Sequence, residues 1–101
     1  MARGMTSRDI EELAADIGRD VYIDVAKWHL YLADAHLHTV LAEQFAPYLE
    51  AGEVTEPLLQ RILAEHQVAV GGGKRQIPLT DLLPVQSQVA LMDILEEYQQ
   101  G

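Results

Sequence analysis

Histidine, carboxylate and aromatic side chains carry most of the chemistry open to this chain, and they gather in one short segment. His29, His36 and His38 fall within ten positions of one another beside Asp34, the densest set of candidate metal ligands present. Imidazole nitrogens and a carboxylate hold zinc well when three or more converge on one point. Helical spacing works against convergence. On a helix His29 and His36 share a face but lie about 10 Å apart along the axis, while His36 and His38 point roughly 200° apart. Asp34 and His38, four apart, can meet as a charge pair. The plainer reading places these imidazoles at the edge of a core, satisfied by local carboxyl or backbone groups.

The run Gly71-Gly72-Gly73-Lys74-Arg75 gathers positive charge against an acidic background. A Walker loop needs Gly, four residues, Gly, Lys, then Ser or Thr. Val68 stands where the first Gly should be and Arg75 where the hydroxyl should be, so that motif is absent. The functional reading left is an anion nest of Gly72, Gly73, Lys74 and Arg75. The plainer one is a turn whose glycines supply positive φ and whose cations keep it solvated.

Three of the six aromatic residues, Tyr22, Trp28 and Tyr31, fall within the histidine region; Phe45, Tyr48 and Tyr98 are the others. Amphipathic aromatics on a rigid element suit a protein interface, bringing large contact area at small entropic cost. Tyr22, Trp28 and Tyr31 are therefore the candidate partner-binding residues, with the edge of the core as their plainer alternative. No nucleophile elbow surrounds Ser7 or Ser87, and the carboxylates show no pairing that differs from a solvated helix face. No catalytic set and no cofactor are expected.

Sixteen acidic against seven basic side chains give a formal charge of −9 over 101 residues. That charge repels phosphate backbones and anionic lipid heads, so nucleic acid is a poor partner. Cysteine is absent, which removes disulfides and thiolate chemistry. The hydrophobic fraction of 49% supports a single core. No apolar run reaches the roughly 20 residues of a membrane span, and no secretory leader is visible. A cytoplasmic protein without an integral membrane segment is expected, with self-association left open. Residues 1–6 read as a disordered or expression-derived start, and 7–101 as a single helical domain.

The elements that must position these residues follow from periodicity. Thr6 or Ser7 caps a helix whose Ile10, Leu13, Ala14 and Ile17 recur at helical spacing, ending near Gly18. Val21, Val25, Trp28 and Leu32 then form an apolar stripe, flanked by Ile23, Leu30 and Leu37, that reads as a second helix. The alternative is a short strand over Val21–Val25, whose composition is β-rich. Asp34 is a candidate cap for the next helical face, Leu37, Val40, Leu41, Phe45 and Tyr48, which Pro47 kinks or ends. Gly52 reads as a stop, and Thr55-Glu56-Pro57 as a cap followed by a first turn that tolerates proline. Val68–Val70 and Lys74–Leu79 around the glycines suggest a hairpin or an ordered loop, with Pro78 limiting the second piece to an edge. Thr80 or Asp81 caps the last helix, with a stripe of Val85, Val89, Met92, Leu95 and Tyr98. The fold class expected is mainly α: a compact bundle of four to five helices with one short Gly-rich hairpin or loop between the last two.

The segment from Val21 to His38 resembles a family of small acidic cyanobacterial proteins catalogued as a domain of unknown function. Gly71-Gly72-Gly73 with Ile77-Pro78-Leu79, and Asp81-Leu82-Leu83-Pro84 with Leu91-Met92-Asp93-Ile94-Leu95-Glu96-Glu97-Tyr98, resemble it too. The likeness spans most of residues 7–99. It implies a cyanobacterial setting, cytosolic or thylakoid-associated, and no activity or functional residues. The reading favoured is a non-enzymatic interaction module, an adaptor or assembly factor that binds another protein. The alternative is a small-ligand or metal-binding regulator that uses His29, His36 and His38 or the Gly71–Arg75 turn.

Overall fold

The computed structural model of the chain describes residues 5–25, 28–70, 73 and 75–100. Helix α1 (Ser7–Asp20) starts where its cap was expected. The Asp9 N–H donates to Thr6 Oγ1 and the Thr6 N–H to Asp9 Oδ2, both at 3.1 Å, which satisfies two end donors reciprocally. Leu13, Ala14 and Ile17 face the core. The helix does not stop near Gly18 but runs on to Asp20, because Gly18 serves a close approach and not a cap. A Cβ there would lie 2.9 Å from Ala33 Cβ and 3.1 Å from His38 Cβ.

The expected helix over Val21–Leu32 is overturned. Strands β1 (Tyr22–Val25) and β2 (Trp28–Tyr31) pair antiparallel in the register Tyr22↔Tyr31, Ile23↔Leu30, Asp24↔His29 and Val25↔Trp28. Alternation supplies the reason: Val21 and Ile23 are buried, Tyr22 is half-buried and Asp24 is exposed. The helical stripe needed Trp28 inside, yet it is 69% exposed. β-branched and aromatic residues fit a pleated, half-buried surface, and here that preference prevails over an incidental 3.6-residue spacing.

After β2 the chain turns through Leu32–His36, with His36 at φ 60°, into α2 (His38–Ala51). Asp34 lies inside this turn and does not cap α2; the cap position is Leu37, which makes no side-chain bond. Pro47 neither ends the helix nor starts a new one. It sits on the exposed side of α2, where the Glu43 carbonyl that loses its partner can turn to water. The stop is Gly52 at φ 69°, where Glu53 N–H donates to Tyr48 O at 2.9 Å and Gly52 N–H to Leu49 O at 3.1 Å.

Helix α3 (Glu56–Glu65) takes the expected Thr55 cap. It leads into β3 (Gln67–Val70) and β4 (Arg75–Pro78), a second antiparallel pair. Thr80 and Asp81 fall within a single turn, α4 (Leu79–Leu82), and do not cap the last helix. That helix, α5 (Val85–Gln100), starts after Pro84, whose carbonyl accepts from the Ser87 and Gln88 N–H groups. Its core face is also corrected. Leu95 of the expected stripe is buried with Leu91 and Ile94, and Met92 and Tyr98 pack against the core, whereas Val85 and Val89 are 75% and 54% exposed. The described residues thus form a mainly helical fold of five helices with two two-stranded sheets. α1 packs on both α2 and α5 around Leu13, Ile17, Leu41, Phe45, Leu91 and Leu95.

Tyr98 ties α5 to α1: its hydroxyl donates to Asp16 Oδ2 at 2.7 Å, and Asp16 Oδ1 accepts from Arg19 at 3.0 Å. Burial, then the bond to the Asp16 carboxylate and the negative charges of Asp16, Glu12 and Asp9, push the Tyr98 hydroxyl well above the ordinary tyrosine range. A value raised in the folded state gives stability that is complete below pH about 10 and lost as pH rises beyond it. Tyr98→Phe is expected to cost about 1 kcal/mol at pH 7 in urea unfolding, with the gap to wild type shrinking at pH about 11. Equal stability of the two proteins at pH 7 would show that the bond contributes nothing.

Candidate partner-binding surface on the first hairpin

The register of β1 and β2 sorts the hairpin into two faces. Ile23 and Leu30, continued by Val21 and Leu32, turn toward the core. Tyr22, Asp24, His29 and Tyr31 share the other face, with Tyr22 directly across from Tyr31 and Asp24 across from His29. The Tyr22 and His29 rings lie diagonally at 3.9 Å between centroids, tilted by 31°. Tyr31 meets both edge-on, at 5.9 Å from Tyr22 and 5.7 Å from His29. His29 Nδ1 lies 3.1 Å from Asp24 Oδ1, which orients the imidazole in the stack. Trp28 alternates onto the Leu30 side but projects past the core's edge. Tyr31 is 43% exposed. Ala26 and Lys27, which join the strands, lie outside the described residues.

Two contacts to α5 hold this hairpin in place. The Tyr22 N–H donates to Ser87 Oγ at 3.3 Å, and the Tyr22 hydroxyl donates to Gln86 Oε1 at 3.1 Å. Ser87 is fully buried, so its hydroxyl is available only to neighbouring protein groups. Sequence reasoning considered Ser87 only as a nucleophile and missed this positioning role. The available signal is its spacing, one helical turn before Leu91 on the face of α5 that enters the core.

The histidines are dispersed. His29 belongs to the aromatic stack, His36 lies in the left-handed turn, and His38 opens α2 with its Nδ1 buried and without a partner. Because Asp34 precedes the helix, the four-residue spacing to His38 no longer brings the two together. Among the described residues no group of three or more His, Asp and Glu side chains could hold a metal ion. Of the anion-nest residues, Gly72 and Lys74 lie outside the described residues. Gly73 has φ 86°, as a turn glycine requires, and Arg75 opens β4 exposed to solvent.

These features define a small, mainly helical protein whose first hairpin carries a packed Tyr–His–Tyr cluster on one face and an exposed tryptophan on the alternate side of β2. The chain belongs to the family described as Protein of unknown function (DUF3181), whose model matches residues 10–98. It is similar to the thylakoid-associated protein slr0729 of the cyanobacterium Synechocystis sp., with 49% identity over 94 residues that cover 93% of each chain. No solved structure matches it. Among the described residues no helix is long and apolar enough to cross a membrane.

Proposed function

We propose that this chain is a non-enzymatic protein-interaction module, an adaptor or assembly factor of a cyanobacterial cell that docks another protein on Tyr22, Trp28 and Tyr31. The exposure of Trp28 carries this reading. A large amphipathic ring on a two-stranded scaffold, 69% open to water, is the kind of group that anchors interfaces. The Tyr22, His29 and Tyr31 rings on the other face of the same hairpin pack against one another and are pre-ordered, so docking that reaches around the strand onto them loses little side-chain entropy. The similar protein's thylakoid association supports a setting at that membrane. A charge of −9 opposes direct contact with anionic lipid and favours a partner with a basic face.

Capture from a cyanobacterial lysate with wild-type chain and with the Trp28→Ala/Tyr31→Ala variant tests the proposal. A defined partner should be retained by wild type and bound roughly 30-fold more weakly by the variant, the loss expected for an interface anchor worth about 2 kcal/mol. Trp28 is largely exposed, whereas Tyr31 gives up its edge contacts to Tyr22 and His29, so the variant should lose about 1 kcal/mol of stability and remain folded. Recovery of nothing above background, or equal recovery by the variant, would refute it.

A further inference from the structure

The exposed valines of α5 form a second surface, separate from the hairpin. Val85, Val89 and Met92 recur at four- and three-residue spacing, a stripe turned roughly 130° from the Leu91, Ile94 and Leu95 face that enters the core. With Pro57 and Leu59 of α3 they line an open cleft of about 360 Å³. The two helices are held across it by a bond from Gln60 Nε2 to Gln88 Oε1 at 2.6 Å, and Gln88 Nε2 in turn donates to Leu83 O at 3.0 Å. Both oxygen and nitrogen of the Gln88 amide are thus engaged within the protein, and Val85, Val89, Met92 and Pro57 offer an occupant apolar area.

Charge identifies the occupant. Glu56 lines one side of the cleft. Beyond Met92 the α5 stripe continues at helical spacing to Glu96, bordered by Asp93 and Glu97; α5 contains no lysine or arginine, and Arg61, one turn after Pro57 on α3, is outnumbered by these carboxylates and Glu56. We propose that this cleft docks an amphipathic helix of a partner protein whose apolar stripe is flanked by lysine or arginine. The apolar stripe lies against Val85, Val89 and Met92 while its cations reach Glu56 and Glu96, the helix-in-groove mode of recognition. A second copy of this chain is disfavoured, since it would bring Glu56, Asp93 and Glu96 against like charges under a net −9 on each copy. Together with the hairpin this provides two docking surfaces on different elements, as an adaptor requires.

The probe is a synthetic leucine–lysine amphipathic helix of about 14 residues, or four turns, titrated into isotope-labelled protein at about 150 mM salt. Amide shifts should concentrate on α3 and on Val85–Met92, and the Val85→Ser/Val89→Ser variant should bind roughly 30-fold more weakly. The leucine–glutamate counterpart should not bind, and Trp28→Ala/Tyr31→Ala should leave binding unchanged, which separates this surface from the hairpin. Equal affinity of the double-valine variant, binding of the glutamate peptide, or concentration-dependent shifts of Val85–Met92 from self-association would each overturn the proposal.

Discussion

Gly18→Val is expected to destabilise the protein by about 3 kcal/mol and lower its melting temperature by roughly 15 °C. Glycine inside a helix usually costs stability relative to alanine, so a side chain here would ordinarily help. At this position the added Cβ would lie 2.9 Å from Ala33 Cβ and 3.1 Å from His38 Cβ and Cγ. Ala33 Cβ is fixed to its backbone and cannot swing aside, so the turn after β2 must shift. That shift breaks a bond the helix end needs. The Gly18 carbonyl, one of the last four of α1, accepts from the Ala33 N–H at 3.2 Å, and Val21 O accepts from Leu32 N–H at 2.9 Å. Gly18 is the point where the end of α1, the return of the hairpin and the start of α2 meet, so the variant should also displace the aromatic surface. Thermal unfolding with Gly18→Ala as a smaller step checks this. A valine variant as stable as wild type would remove the close-approach account.

Phe45→Ala is expected to cost about 4 kcal/mol, the loss typical of a fully buried phenylalanine left as a cavity. Phe45 has no exposed surface and belongs to the core cluster formed with Leu13, Ile17, Leu41, Leu91 and Leu95. Small domains hold a total stability of only about 5–15 kcal/mol, so the variant should lose between about a quarter and four fifths of it. Phe45→Leu keeps most of the volume and should cost no more than about half as much. Urea unfolding of the three proteins tests the ordering. A loss below about 1 kcal/mol for alanine would mean that the site collapses around the gap or that the core is looser than it looks.

Local signals located some helix ends and not others, since Asp34, Thr80 and Asp81 have cap chemistry and cap no helix. Thr6 with Asp9, Thr55 with Pro57, and Gly52 each act within a few positions, and each performs the expected role. Two features were not legible. Residues Val21–Leu32 satisfy both periods: Val21, Val25, Trp28 and Leu32 are spaced for a helix, while Val21 and Ile23 against Tyr22 and Asp24 alternate as in a strand. The exposed face of α5 was misassigned for a related reason, since Val85, Val89 and Met92 are as well spaced as Leu91, Ile94 and Leu95.

The candidate surface shows the same division. Tyr22, Trp28 and Tyr31 were identifiable as residue types in one segment, but their arrangement depends on a strand register that no helical reading could supply. His29 joins the cluster only because β2 places it diagonally across from Tyr22.

By itself the sequence determined the acidic charge, the absence of thiol chemistry, the helix ends at Thr6, Thr55 and Gly52, and the amount of apolar material available for a core. The tertiary structure decided between competing periodicities. It did so through contacts remote in the chain, such as Tyr22 N–H to Ser87 Oγ, 65 positions apart, and the packing of α1 and α2 against one face of α5. A local pattern shows which faces could be buried. Only the neighbours that cover a face determine which one is, because burial is a property of pairs of surfaces and not of one.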